Sequence, residues 1–135
     1  MRIWDIPVKL LCRQHLLSEH NECHAIFNII TKRLKGFAKH PEVMRWRGKL
    51  AALYHKHYDI AFEMYRRGYH HKSELDAMLV DIKQSNIQRE QWQTTEKQIE
   101  LLRMRCPECR ANIDKMRLSF ASVKQTPENY KGEQK

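Results

Sequence analysis

Two short stretches of this sequence hold side chains that could do chemistry. The first, HLLSEHNECH at residues 15–24, crowds His15, Glu19, His20, Glu22, Cys23 and His24 together. His20 and His24 stand one helical turn apart with Cys23 between them, a spacing that invites a divalent metal. On a helical wheel, however, His24 points about 100° away from Cys23, and no His-Glu-x-x-His unit is present, so packed or surface histidines are the simpler expectation. The second stretch is CPEC at residues 106–109. Cys106 and Cys109 have the spacing of half a zinc knuckle or of a redox pair, but a second such pair is missing. Cys12 and Cys23 could complete four thiolates only if the first helix lay alongside, yet both fall on its apolar face. The leading expectation is a turn in which Pro107 stops a helix, and neither a metal nor an organic cofactor is expected. Acid–base chemistry remains. Glu22 and His15, half shielded at the edge of an apolar stripe, are placed where a side chain can reach a ligand, and a carboxylate there can stabilise a cation or move a proton.

Helices must position these groups. Only four Gly and four Pro, with no dense run of Val, Ile and Thr, argue against a sheet and for an all-α fold. A first helix is expected from Pro7 to about Leu34, with Gly36 as its stop. Cys12, Leu16, Cys23, Phe27 and Ile30 form its inner face, and His15, Glu22 and Ile26 lie about 60 to 100° from the centre of that face. A second helix follows HPE at 40–42, carries Trp46, Leu50, Leu53, Tyr54, His57, Ala61 and Met64, and is closed by Gly68. A third opens at Ser73 with Asp76 and carries Leu75, Met78, Leu79 and Ile82. A short helix capped by Thr95 with Gln98 runs to Arg105. The expected architecture is a compact single domain of three main helices plus the short C-terminal one over residues 1–115. A polar, flexible tail over 116–135 follows it. Tyr54, Tyr58, Tyr65, Trp46 and Trp92 could stack on bases, but at helical spacing they are expected to be core.

The formal charge is +9, and it is uneven: residues 1–72 hold 14 Lys/Arg against 6 Asp/Glu, residues 73–135 hold 11 against 10. A basic first half suits a polyanionic partner, the alternative being solvated helix faces. Lys32, Arg33, Lys35, Arg45 and Arg47 are the expected phosphate contacts. No long apolar run or signal peptide is visible, so no membrane partner, a cytoplasmic setting and a monomer are expected, with the four cysteines as thiols.

Several motifs in order carry a resemblance. The opening Arg2-Ile3-Trp4, then Gln14-His15-Leu16, then Glu19 and Glu22, and the block from Lys49 through Glu63-Met64-Tyr65-Arg66-Arg67-Gly68-Tyr69 together resemble the phage-type pyrimidine-dimer DNA glycosylases, the endonuclease V or pyrimidine-excision family. The likeness covers residues 1–72 and weakens towards 110. It implies a small basic all-helical repair enzyme acting on damaged double-stranded DNA. It also implies that the Met1 α-amine is the nucleophile, Glu22 the catalytic carboxylate, Arg2 a cation beside the nucleophile and on the DNA, and His15 an orienting or backbone-contacting group. An α-amine suits that role because its reference pKa is about 7.7–8.0, so roughly a third is neutral at pH 7.5 against about 0.1% of a lysine. With Arg2 in second place, Met1 is expected to be retained. Asn21 and Ala25 replace arginines of the phage members, and the aromatic C-terminal segment is reduced to Tyr130-Lys131-Gly132. Abasic sites and other damaged pyrimidines are therefore as open as dimers. The rival expectation is a non-enzymatic basic DNA-binding protein that keeps the fold, with CPEC as a zinc knuckle.

Overall fold

The apolar spacing is realised as helices. The computed structural model describes residues 1–70, 73–81 and 83–123. Among these it carries α1 (Arg13–Thr31), α2 (Pro41–Met44), α3 (Leu50–Arg66), α4 (Thr95–Arg105) and α5 (Pro107–Val123), single 3-10 turns at Val8–Leu10 and Ala77–Leu79, and no strand. None of these helices is long and apolar enough to cross a membrane.

Several boundaries differ from expectation for local reasons. Pro7 opens only a 3-10 turn, after which Leu11 is extended and Cys12 becomes the N-cap of α1, its Sγ accepting from the His15 N–H. At the other end Arg33 takes a left-handed conformation (φ 52°) and the Leu34 N–H donates to the Ile29 carbonyl at 3.1 Å, so α1 stops before Gly36 is reached. The inner face of α1 is also rotated: Glu19, His20 and Ile26 are buried beside Leu16, Cys23 and Phe27. The expected second helix is split by Gly48 (φ 74°) into α2 and α3, while Gly68 (φ 84°) closes α3 as its sequence position implies. Between 73 and 81 only a 3-10 turn forms, capped by Asp76, because Leu75 is buried but Met78 and Leu79 face solvent and no continuous apolar side exists to hold a helix. Ile82 lies outside the described residues. Thr94, not Thr95, caps α4. The helix α5 passes residue 116, and Met116 packs on the core. Residues 124–135, with Tyr130-Lys131-Gly132, lie outside the described residues.

Two helical pairs make the body. The helices α1 and α3 run antiparallel: His20 meets His57 midway, and Arg67 just past α3 donates to the Leu11 carbonyl at 2.7 Å. The second pair, α4 and α5, is a hairpin turned at Cys106-Pro107, with Arg103 paired to Asp114 at 2.9 Å and Glu100 to Arg117. The core shared between them includes Ile3, Leu10, Leu11, Leu16, Phe27, Leu53, Ile60, Leu102 and Ile113.

The first five residues are extended and threaded between the two pairs. Their backbone polar groups cannot bond to each other, so side chains satisfy them. Trp4 N–H donates to Glu19, Asp5 N–H to Gln98 Oε1 at 2.9 Å, and the Asp5 carbonyl accepts from Thr95 Oγ1 at 3.1 Å. Arg45 does most. Its guanidinium, 5% exposed, donates to the Ile3 carbonyl (2.8 Å), Asp5 Oδ1 (2.9 Å), Glu42 Oε1 (2.7 Å) and the Glu90 carbonyl (2.6 Å). The expectation of Arg45 as a phosphate contact is therefore corrected: every face of the group is already bonded inside the protein. Arg45→Met should cost about 3–5 kcal/mol in urea denaturation by leaving the buried Glu42 and the part-buried Asp5 without their cation. Arg45→Lys should recover little, because one ammonium cannot reach four acceptors. Arg47→Ala, at an exposed position, should change stability by less than about 0.5 kcal/mol.

Candidate active site

Pinning residues 3–5 fixes where Met1 and Arg2 emerge. Met1 is exposed and, with Arg2, His40, Trp92 and Gln93, lines an open pocket of about 360 Å3. The Arg2 guanidinium stacks on the Trp4 ring at 3.8 Å and donates to Gln93 Oε1 at 3.1 Å, while its Nε is buried without a partner. Desolvation in this half-buried position lowers the Arg2 pKa from its ordinary value. Trp92 is held over the pocket by its indole N–H, which donates to Glu42 Oε2 at 2.6 Å. Glu42, fully buried, thus ties Arg45, Trp46 and Trp92 together.

Two carboxylates of α1 have opposite surroundings. Glu22 is half-buried, and among the described residues its carboxylate enters no hydrogen bond or ion pair. Glu19, one turn earlier, is 1% exposed, holds the Trp4 N–H and has Lys56 at 3.8 Å. Burial pushes the Glu19 pKa up to about 7, with Lys56 and the Trp4 N–H opposing it. Sequence spacing marks Glu19 only as part of a motif; the backbone contact it makes is tertiary.

The loop between α1 and α2 carries most of the expected phosphate contacts. Lys32, Arg33, Lys35 and Arg47 are all exposed, and Arg47 also donates to the Ala38 carbonyl at 2.9 Å. The same loop displays Phe37, 69% exposed and in a left-handed conformation (φ 57°), flanked by Lys35 and Lys39 and edge-on to the His40 ring. His40 belongs to the Met1 pocket as well, so loop and pocket are continuous. Phe37, His40 and Gln93 were not legible as site residues, since nothing in their spacing marks them; Trp92 reads as a base-stacking candidate but is expected in the core. Of the aromatic residues expected in the core, Trp46 is buried, but Tyr58, Tyr65 and Trp92 are exposed.

Two clusters of metal-type donors lie elsewhere. His20, His24 and His57 bring their Nε2 atoms together, 3.1 Å and 3.0 Å from that of His57, so α3 supplies the third imidazole that the HLLSEHNECH stretch lacks. Cys23 is not among them; it is fully buried, and burial pushes its thiol well up. In the second cluster, Cys106 and Cys109 meet Cys12 and His15. His15 Nδ1 lies 3.1 Å from Cys12 Sγ and 3.5 Å from Cys109 Sγ, with its ring edge-on to Trp4. The expectation that His15 serves beside Glu22 is corrected to this extent: one of its two ring nitrogens is turned to the thiols.

A sequence model described as pyrimidine dimer DNA glycosylase matches residues 1–77. The chain belongs to that family. No curated protein and no solved structure matches it. The matched segment of this family member holds Met1, Arg2, Glu19, Glu22 and the basic loop, and ends before Trp92 and Gln93, which complete the Met1 pocket from the linker ahead of α4.

The buried Glu19 makes stability depend on pH. Its folded pKa is raised above the ordinary 4.5, so the stability associated with the protonated form is fully present below about pH 4.5 and is lost as pH rises through about 7. Glu19→Gln keeps an acceptor for Trp4 and has no charge to desolvate. Relative to the parent, it should gain up to about 3 kcal/mol between pH 4.5 and pH 8, read from urea midpoints at the two pH values. A constant difference across that range would refute the assignment.

Proposed function

We propose that the protein is a DNA glycosylase with abasic-site lyase activity on damaged pyrimidines, in which the Met1 α-amine is the nucleophile and Glu22 the acidic partner. The observation that supports this best is the pinned N-terminal segment: residues 3–5 are bonded on all sides, while Met1 stands exposed at the pocket mouth. A nucleophile held in this way has given up its orientational freedom before substrate arrives.

In the proposed reaction the neutral amine attacks C1′ of the damaged nucleotide. The glycosidic C–N bond breaks with its electron pair leaving on the base, and the amine proton departs as the sugar ring opens to an iminium. Loss of a C2′ proton then expels the 3′ phosphate by β-elimination. Glu22 stabilises the cationic centre and carries protons in these steps. Arg2, clamped between Trp4 and Gln93, supplies a fixed positive charge for the phosphate beside the lesion. No step calls for a metal or an organic cofactor.

DNA would lie along the exposed Lys32, Arg33, Lys35 and Arg47, which lead to the pocket through His40. Phe37 is shaped to enter an unstacked base step, since an exposed apolar wedge between cations lowers the cost of kinking and of extruding a nucleotide. The exposed cations take over the grip on DNA in a chain that has Asn21 and Ala25 on α1.

Borohydride should trap the protein covalently on a duplex carrying a cyclobutane pyrimidine dimer and on an abasic duplex, with the adduct mapped to the Met1 amine. Glu22→Gln should abolish strand cleavage while DNA affinity is kept or improved. Intact cleavage in that variant would remove Glu22 from the reaction, and no adduct on either duplex would leave the non-enzymatic DNA-binding reading. Replacing Lys32, Arg33, Lys35 or Arg47 singly by alanine should flatten the slope of log affinity against log salt by about 0.9 for each phosphate the side chain had neutralised. Phe37→Ala should slow base excision about tenfold or more and spare elimination at a preformed abasic site, where no base has to be extruded.

A further inference from the structure

The thiol cluster has no part in the proposed reaction, yet its geometry is specific. Cys12 caps the start of α1 and His15 lies one turn on, while Cys106 is the corner of the α4–α5 hairpin and Cys109 is in the first turn of α5. The three Sγ atoms and His15 Nδ1 all lie within 4.8 Å of one another. A zinc ion takes sulfur at about 2.3 Å and imidazole nitrogen at about 2.0–2.1 Å in a tetrahedron, which sets S···S edges near 3.8 Å and S···N edges near 3.5 Å. Here Cys106 Sγ is 3.8 Å from Cys12 Sγ, Cys109 Sγ is 3.5 Å from His15 Nδ1, and Cys12 Sγ is 3.1 Å from His15 Nδ1.

We propose that Cys12, His15, Cys106 and Cys109 are the four ligands of a structural zinc site that fastens the α4–α5 hairpin to the start of α1.

The surroundings of the sulfurs fit thiolates. Three backbone amides donate to them: Cys12 N–H to Cys109 Sγ at 3.2 Å, Cys109 N–H to Cys106 Sγ at 3.4 Å, and His15 N–H to Cys12 Sγ at 3.4 Å. Such amide donors stabilise metal-bound thiolates and fix their direction. The Glu108 carboxylate, 3.4 Å from Cys106 Sγ, belongs to an exposed side chain that is free to turn to solvent. Three thiols with one imidazole are a soft donor set, suited to zinc and unsuited to magnesium or calcium. Four protein ligands close the coordination sphere, which makes the site structural rather than hydrolytic. A disulfide does not describe the cluster, because 3.8 Å is far from the bonded S–S distance of about 2.05 Å. The sequence motif is split, Cys-x-x-His at one end and Cys-x-x-Cys some ninety residues later, with only the first half inside the family match. A metal there joins the matched segment to the hairpin that follows the Trp92-Gln93 wall of the Met1 pocket.

Metal analysis of the purified protein tests this. The wild-type chain should carry about one zinc that Cys106→Ser with Cys109→Ser loses and Cys23→Ser keeps. The double variant separates this site from any metal on His20, His24 and His57, which it would not remove, and Cys23→Ser controls for the loss of a buried thiol as such. Should the double variant fail to fold, cobalt substitution in the wild-type protein decides alone: strong thiolate-to-cobalt charge-transfer absorption with tetrahedral d–d bands is expected. Cobalt without thiolate charge transfer, zinc content equal in the wild type and a folded double variant, or a cysteine disulfide found by mass spectrometry would each overturn the proposal.

Discussion

The buried Arg45 guanidinium is the interaction on which the rest of this molecule depends. An extended N-terminal strand with no sheet to join would leave its amides and carbonyls unsatisfied, and a helical protein has no backbone ladder to offer them. Arg45 answers with a planar fork that reaches a carbonyl, two carboxylates and a linker carbonyl at once. The carboxylates are shared in turn: Asp5 also accepts from Gln98 of α4, and Glu42 from both Trp46 and Trp92. One buried cation with a buried and a part-buried anion would be costly if any lone pair were idle, and here the tryptophan and glutamine N–H groups fill the remaining positions. The result is that strand, α2, the linker ahead of α4 and α4 itself are cross-linked through polar groups, around the place where the chain's amine emerges.

That network changes how the basic charge should be counted. Arg45 and Lys49 are cations by composition but are committed internally, the one to Asp5 and Glu42, the other to Glu90 and Gln88. The cations open to solvent in the first half are concentrated in the loop from Lys32 to Lys39 and at Arg47. Exposed cations also stand at Lys9, Arg13 and Arg66, but the dense group beside the pocket is the more directional, because screening removes the contribution of charges more than about 10 Å away.

How much of this was legible depended on whether the information was local. Gly68 and the helical class itself follow from short-range chemistry and are where their residues imply, and the cap beginning α4 is displaced by only one residue, from Thr95 to Thr94. The start of α1 was less legible, because Pro7 is equally content in a 3-10 turn and the true cap is a cysteine, an unusual residue for that role. The helix expected at 73–82 was misjudged for the opposite reason: Asp76 is a genuine cap, but its apolar residues find nothing to pack on. For the site, the roles of Met1, Arg2, Glu22 and His15 were read from the family resemblance, whereas Arg45 was assigned from charge alone. The partners of Arg45 and His15, Asp5 and Cys109, are distant in sequence or on another element, and no spacing rule reaches them. The same holds for His57, whose meeting with His20 and His24 exists only once α3 lies on α1.

The hairpin of α4 and α5 has a harder task than its small share of the core suggests. Gln98 and Thr95 hold Asp5, and Trp92 and Gln93, just ahead of α4, form one wall of the pocket, so any slippage of this hairpin moves the wall and the N-terminal strand together. The apolar contribution of α4 is modest, with Leu102 buried and Met104 exposed, and its charged pairs to α5 lie at the surface, where solvent and salt screen them. Something else must set the hairpin's position against α1. Asn112 bonding to the Leu10 and Leu11 carbonyls contributes on one side, and the four converging donors of Cys12, His15, Cys106 and Cys109 contribute on the other. Both contacts fall on the short stretch between the pinned strand and α1. The hairpin is thereby registered against the chain just after the pinned residues 3–5, while its own Thr95 and Gln98 hold Asp5, so both contacts keep one wall of the pocket in place against Met1.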